Sequence, residues 1–186
     1  LTKKILDIPH KKVVFISTID VYPKGAEKHT EEEVLRLDAA KDVYAFTKLI
    51  CESLVQEDSK DNVVLRCSAM LGEHMKKNSI KRIIDEQNPQ LTLSGQSDFN
   101  YILYSQIRDV IEHMNKQNLG GVFNVVSSQN ITLNQIAEKF KKEVKFGNFI
   151  YQTGSVDNQK ICAVYPQLDM TSQEVIDKFI LESNSK

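Results

Sequence analysis

The 186-residue sequence has no tryptophan, only four prolines, seven glycines and three cysteines, and a net charge of −1. Each of these scarcities excludes something. Cys51, Cys67 and Cys162 are odd in number, far apart and without a C-x-x-C pair, which rules out a disulfide framework and points to a reducing, cytoplasmic setting. They read as small buried apolar residues. His10, His29, His74 and His113 show no metal-ligand spacing, so no metal is expected. No run approaches transmembrane length and no signal peptide is visible, so no membrane partner is expected. The near-neutral charge carries no electrostatic sign of a nucleic-acid partner. The few glycines include no G-x-G-x-x-G, the turn that holds a dinucleotide pyrophosphate.

What is present suits a water-exposed globular chain. A hydrophobic fraction of 41% is enough for a core, and the length suits about one domain, or one and a half. Leu1 to Ile8 reads as the end of a helix and Lys12–Ser17 as a buried strand. Gly25 to about Asp42 is polar, with Glu31-Glu32-Glu33 opening a short helical pattern as a solvated first turn. Tyr44 to about Glu57 reads as a helix burying Leu49, Ile50 and Leu54, and Asn62–Cys67 as the next strand. Asn78 or Ser79 caps a helix that turns Ile80, Ile83 and Ile84 inward. Leu91-Thr92-Leu93 reads as a short strand before the Ser94-Gly95 turn. Ser105 is placed to cap a helix burying Ile107, Val110, Ile111 and Met114, stopped by Gly120-Gly121. Val122–Val126 is a strand. Thr132 with Gln135, and Thr171 with Glu174, spell capping boxes, each flanked by a hydrophobic staple: Ile131 with Ile136, and Met170 with Val175. Strands alternating with helical crossovers argue for a parallel α/β sheet.

The chemistry concentrates near the first strand. Val13-Val14-Phe15-Ile16 ends in two hydroxyls, Ser17 and Thr18, and Tyr44 and Lys48 follow one helical turn apart. Residues i and i+4 share a helix face. An ammonium there would stabilise a phenolate and lower a pKa that starts near ~10, making a proton-transfer site. Taken alone, the same stretch also reads as an ordinary amphipathic helix, and the two hydroxyls as a strand-end cap of local backbone groups.

In order along the chain, Phe15–Tyr22, the Tyr44/Lys48 pair, Val64-Leu65-Arg66 through Leu71-Gly72, Gly121–Val125 followed by Ile131-Thr132-Leu133, and Asp157–Lys160 with Tyr165-Pro166 form a series. The series resembles the extended short-chain dehydrogenase/reductases, in the group of NAD-dependent sugar-nucleotide epimerases, dehydratases and reductases. The resemblance implies part of a doubly wound parallel (Rossmann-like) sheet with a smaller C-terminal substrate-binding lobe. Residues 1–72 would form the C-terminal part of the dinucleotide-binding domain. Residues 73–186 would be mainly the substrate lobe, with some segments returning to the sheet. It implies Tyr44 as acid/base, Lys48 lowering its pKa and holding the nicotinamide ribose, and Thr18 holding the reacting sugar oxygen. Ser17, Tyr44, Lys48 and Cys67 would face the cofactor, NAD or NADP. Thr18, Ala69, Lys76 and Lys77 would face a nucleotide-sugar substrate. The longer enzyme would number a homodimer among its expected assemblies.

Departures from the family pattern narrow the expectation. The family opens with a strand, a glycine-rich turn and a helix that hold the pyrophosphate, and these are missing here. The chain is therefore expected to be the C-terminal part of a longer enzyme, lacking roughly ~100 residues. The alternative is a truncated or degenerate, non-catalytic member of the same fold. Ile19 stands where dehydratases carry the first of two acidic residues, and isoleucine protonates nothing, which disfavours dehydration over epimerisation or reduction. Ala69 replaces an asparagine that holds the sugar nucleotide. Ser97 replaces an arginine before Asp98-Phe99, and with it goes a bidentate diphosphate grip. Lys76, Lys77, Lys81 and Arg82, near a helix start, are the candidate substitutes, a solvated helix face being the other reading. Phe99, Tyr101 and Tyr104 would line a base or sugar pocket or pack in the core.

Overall fold

Val63-Val64-Leu65-Arg66-Cys67 is buried at every position. Only a central strand covered on both faces permits that. The computed structural model describes residues 1–23 and 27–184. Along the chain run α1 (Thr2–Leu6), β1 (Val14–Thr18), β2 (Lys28–His29), α2 (Val43–Asp58), β3 (Val63–Cys67), β4 (Ala69–Leu71), α3 (Ser79–Asp85), β5 (Asp98–Phe99) and β6 (Tyr101–Leu103). After them come α4 (Tyr104–Lys116), β7 (Gly121–Val125), β8 (Ile131–Thr132), α5 (Leu133–Lys139), β9 (Ser155–Val156), α6 (Gln159–Val164) and α7 (Ser172–Asn184).

The fold is α/β, with a parallel, Rossmann-like sheet ordered β1-β3-β7. Val14 aligns with Val63 and Thr18 with Cys67, while Val63 aligns with Gly121 and Cys67 with Val125. Short pairs flank it: β2 with β9 and β4 with β6, both parallel, and β5 with β8, antiparallel. Strand alternation splits β3 between two faces. Val63, Leu65 and Cys67 pack with Val110 and Met114 of α4 and Ile161 of α6. Arg66 faces α2 instead, bonded to its Glu52. A separate core gathers Leu71, Ile80, Ile83, Leu103, Leu133, Ile136 and Ile176. Among the described residues β1 forms one edge of the sheet.

Local signals account for most element ends. Asp42 Oδ1 accepts from the Ala45 amide at 2.7 Å and starts α2. Asn78 Oδ1 accepts from the Lys81 amide at 3.0 Å and starts α3, with Ile80 and Ile83 buried. Both capping boxes form: Gln135 Oε1 accepts from the Thr132 amide at 2.8 Å, and Glu174 Oε2 from the Thr171 amide at 2.7 Å. The turn into β7 needs two glycines. A Cβ at Gly120 would stand 2.3 Å from the Lys60 carbonyl oxygen, and Gly121 has φ +106°.

Four local expectations are corrected. Glu31-Glu32-Glu33 lie in turns and open no α-helix, only a single 3-10 turn at Leu37–Ala39 following them, because their carboxylates serve tertiary partners; Gly25 lies outside the described residues. Helix α4 begins at Tyr104, directly after β6, and Gln106 Oε1 accepts from the Leu103 amide at 3.0 Å. Ser105 does not cap it; its hydroxyl donates to Glu182. Leu91-Thr92-Leu93 makes only isolated bridges, Gln90 with Lys145 and Leu93 with Phe149. The inward stripe of α2 is Ala45, Leu49, Glu52 and Val55, while Ile50 is 37% exposed and Leu54 half-buried.

Candidate active site

Where β1 ends, the chain turns sharply through a single 3-10 turn, Ile19–Val21. Thr18 makes that turn: its Oγ1 accepts from the Asp20 amide at 3.2 Å and donates to Asp20 Oδ2 at 3.3 Å. Lys41 ion-pairs with the other carboxylate oxygen of Asp20. The Asp42 cap then starts α2 so that Tyr44, in its first turn, comes over the strand end. The result is a cleft of about 240 Å³ at the C-terminal ends of β1 and β3. Ser17, Thr18, Tyr44, Cys67 and Ala69 all line it. Lys48 lies just beneath, its ammonium donating to the Ile16 carbonyl at 2.7 Å. Lys76 and Lys77 stand outside the cleft and are exposed. Lys77 pairs with Glu86 at 2.8 Å, Lys81 with Asp85 and Arg82 with Glu86, so three of the four candidate anion-binding cations are matched along α3.

The electrostatics correct one expectation. Tyr44 is half-exposed, and its phenol is raised above its ordinary pKa rather than lowered. Partial burial is the main cause; a hydrogen bond with Thr18 opposes it, and the nearby Asp20 and Asp42 carboxylates add to it. The Lys48 ammonium sits 5.7 Å from the Tyr44 ring centroid and 4.9 Å from that of Phe15. Directed at a backbone carbonyl, it does not offset the burial of the phenol. Burial pushes the Cys67 thiol up to about 12 against the pull of the Lys48 charge. Cys67 is therefore a neutral apolar wall near neutral pH, not a nucleophile.

Behind the cleft runs a buried polar chain that the sequence reading did not include. Arg66 forks onto Glu52, with Nη2 2.8 Å and Nε 3.1 Å from Oε2. Ser17 donates to Glu52 Oε1. Arg66 Nη1 donates to the Tyr22 hydroxyl at 3.0 Å, which donates to Asn124 Oδ1 at 2.7 Å. The three strands of the sheet, α2 and the turn after β1 are tied together this way. A signal was present: a glutamate at an inward position of an amphipathic helix, and an arginine in the middle of an apolar strand. Each charge is tolerable inside only if it meets the other. The acidic run is drawn into the same region. Glu31 accepts from the Asn124 amide at 2.7 Å, and Glu33 bonds His29, whose ring stacks on Tyr22 at 4.9 Å.

The opposite wall comes from the second core. Phe99 stacks on Tyr151 at 5.0 Å and on the buried Tyr101 at 5.9 Å. Of the three aromatic candidates, Phe99 lines the cleft, Tyr101 is core and Tyr104 is 44% exposed. Ser68, which lies within the Val64–Gly72 motif but was given no role, also lines it, as do Asn100, Tyr151 and Thr153, which nothing local marks. Ser97, in the place of an arginine, holds this wall. Its Oγ accepts from the Tyr151 amide at 3.0 Å and donates to the Phe149 carbonyl at 3.3 Å. Burial, with Asp20 and Asp98 nearby, pushes the Tyr151 phenol up to about 12. Among the described residues no three His, Cys, Asp or Glu side chains gather as a metal-binding group, and no helix is long and apolar enough to cross a membrane.

Residues 1–111 match the model of the NAD dependent epimerase/dehydratase family. The chain belongs to that family. No curated protein matches it by sequence. Among solved structures, MoeE5 in complex with UDP-glucuronic acid and NAD superposes with a TM-score of 0.72 at 16% identity, covering 92% of this chain and 63% of its own. The UDP-N-acetylglucosamine 4-epimerase of Methanobrevibacter ruminantium M1, in complex with UDP-N-acetylmuramic acid, gives 0.74 at 20% identity, covering 95% and 68%. The UDP-glucuronic acid 4-epimerase of Bacillus cereus, in complex with UDP-glucuronic acid and NAD, gives 0.74 at 18% identity, covering 100% and 66%. At these identities the likeness is one of fold. This epimerase/dehydratase-family chain spans about two thirds of the length of those proteins, and less than two thirds of MoeE5.

Proposed function

We propose that this chain carries the proton-transfer half of an NAD(P)-dependent epimerase or reductase acting on a nucleotide-activated sugar. The observation that carries the reading is the meeting of Thr18 and Tyr44 on one cleft at the C-terminal end of a parallel sheet, the position where open α/β folds take ligands. Family membership and the NAD and UDP-sugar complexes of its structural neighbours support it.

In this reading Thr18 holds the reacting sugar oxygen and Tyr44 exchanges its proton. With its pKa raised, the Tyr44 phenol is neutral near pH 7 and serves first as a proton donor to a developing alkoxide. Lys48 fixes the end of β1 through Ile16, and its two remaining N–H donors can meet a ribose hydroxyl. The residues present therefore fit the nicotinamide-ribose end of NAD or NADP; they include no glycine-rich turn for the pyrophosphate. When bound, the nicotinamide supplies hydride transfer, and the protein supplies position and protons. Cys67, neutral and buried, and Ala69 leave room beside it. Ile19 in place of an acidic residue keeps the reading at epimerisation or reduction.

The raised phenol favours one rival, a non-catalytic member of the fold. Calorimetric titration with UDP-glucose, UDP-glucuronic acid and UDP-N-acetylglucosamine separates the two. The catalytic reading expects saturable binding of at least one, lost or altered when Thr18 is changed to Val. Absence of heat with all three favours the rival. Binding of NAD alone by these 186 residues is expected to be weak, and micromolar affinity would show that the cofactor site is more complete than the sequence indicates.

A further inference from the structure

Most hydrogen-bonding side chains on the wall of the cleft are committed to the protein. Ser17 donates to Glu52, Thr18 to Asp20, and Thr153 to the Asp98 carbonyl. Tyr44 bonds Thr18, and Tyr151 bonds Asp20. The Asn100 amide is held at both ends, by Ser127 and Asn130. Ser68 is different. It is 5% exposed, and its Oγ, shielded from solvent, has no hydrogen-bond partner among the described residues. Its backbone is satisfied, the amide donating to the Val125 carbonyl at 3.2 Å. That bond extends the β3–β7 ladder by one residue, so alternation puts the Ser68 side chain on the face of Arg66 and Ser17, which α2 and Tyr44 border. A buried hydroxyl without a partner destabilises a fold and calls for a reason.

We propose that the Ser68 hydroxyl is a ligand-binding group of this cleft, left unpaired within the protein and hydrogen-bonded by a ring hydroxyl of the sugar that enters. The inference rests on the sugar-nucleotide reading above and assigns a role to a residue that lies within the Val64–Gly72 motif but outside the Thr18/Tyr44/Lys48 set. The size of the cleft limits the occupant. About 240 Å³ is below the roughly 300–1,000 Å³ of pockets that enclose drug-sized ligands. A single ring fits, and the nucleotide must lie outside.

The test is Ser68→Ala in the 186-residue chain, with UDP-glucose and UDP as paired probes, so that the difference between them isolates the sugar. The expected result has two parts. The Tm of the variant equals or exceeds that of the parent, because an unpaired hydroxyl has been removed. UDP-glucose binding weakens roughly three- to tenfold while UDP binding is unchanged, the loss of one ordinary hydrogen bond. Equal UDP-glucose affinity in parent and variant overturns the assignment and leaves the sugar-nucleotide reading standing. A Tm lowered by several degrees with UDP binding also weakened shows that the hydroxyl has a structural partner, and overturns it too. Failure of the parent to bind UDP and all three of UDP-glucose, UDP-glucuronic acid and UDP-N-acetylglucosamine overturns the sugar-nucleotide reading, and the role of Ser68 with it.

Discussion

Helices α2 and α3 both carry charged side chains, and the two sets play opposite parts. On α2, Glu52 is turned into the sheet, where its carboxylate meets Arg66 with side-chain exposures of 2% and 6%. On α3, Lys81 pairs with Asp85 at 36% and 48%, and just outside its two ends Lys77 pairs with Glu86 at 65% and 27%. The chemistry of the pairs is the same, and the surroundings decide their value. In water each ion is already solvated, and a pair between exposed groups contributes little. Inside, neither ion can stand alone, so the pair fixes the geometry of whatever it connects. Here it connects β1, β3 and α2, the three elements that carry Thr18, Cys67 and Tyr44 to one cleft. Lys77, Lys81 and Arg82 are matched by acidic neighbours on and beside α3, none of which lines the cleft.

The sharpest way to break this comparison is at the cleft itself. Tyr44→Phe keeps the ring and removes the proton, so turnover of a sugar nucleotide by the full enzyme should fall about 10²–10⁴-fold with substrate affinity little changed. An unchanged rate in steady-state assays would make α2 a scaffold and its charges merely structural. Next in size, Arg66→Met alone strands the Glu52 carboxylate and should cost about 3–5 kcal/mol in urea unfolding. Adding Glu52→Leu should recover most of that loss, because an apolar pair of similar volume is tolerated. If the single and double variants are equally unstable, the pair is not the unit that matters.

Alkaline pH probes the same buried region with a smaller effect. An unfolded thiol ionises near ~8.5, whereas the folded Cys67 is held up to about 12. Its contribution to stability is therefore full below ~8.5 and is lost as pH climbs toward 12. Between pH 8 and pH 10 the loss from this group is about 2 kcal/mol. Cys67→Ala should flatten that part of the stability profile, which denaturant unfolding at the two pH values measures. Smallest of all, Lys77→Ala should change stability by less than about 1 kcal/mol. Its effect on UDP-glucose affinity is the informative readout. A clear loss would restore the expectation that the α3 cations grip a diphosphate; no change would leave them a solvated face.

The sequence by itself determined a good deal. Caps and staples at Asn78, Thr132 and Thr171, the glycines ahead of β7 and the apolar strand runs are local devices acting over four or five residues, and they specify the same elements wherever they occur. Strand–helix alternation then restricts the sheet to a parallel one. The i, i+4 spacing put Tyr44 and Lys48 on one face, and the motif series placed both after Thr18. Only the tertiary structure decided what those side chains meet. Lys48 reaches the Ile16 carbonyl rather than the phenol, because the end of β1 lies beneath it. Glu31, Glu33 and Glu52 are each a surface charge by composition and a structural group by contact. Ser68, given no role by the motif it lies in, and Tyr151, which carries no local pattern, reach the cleft from segments more than eighty residues apart in the chain. Burial and hydrogen-bond partnership belong to pairs of distant segments, and they set the pKa of a phenol or the worth of an ion pair, so neither could be read from one segment alone.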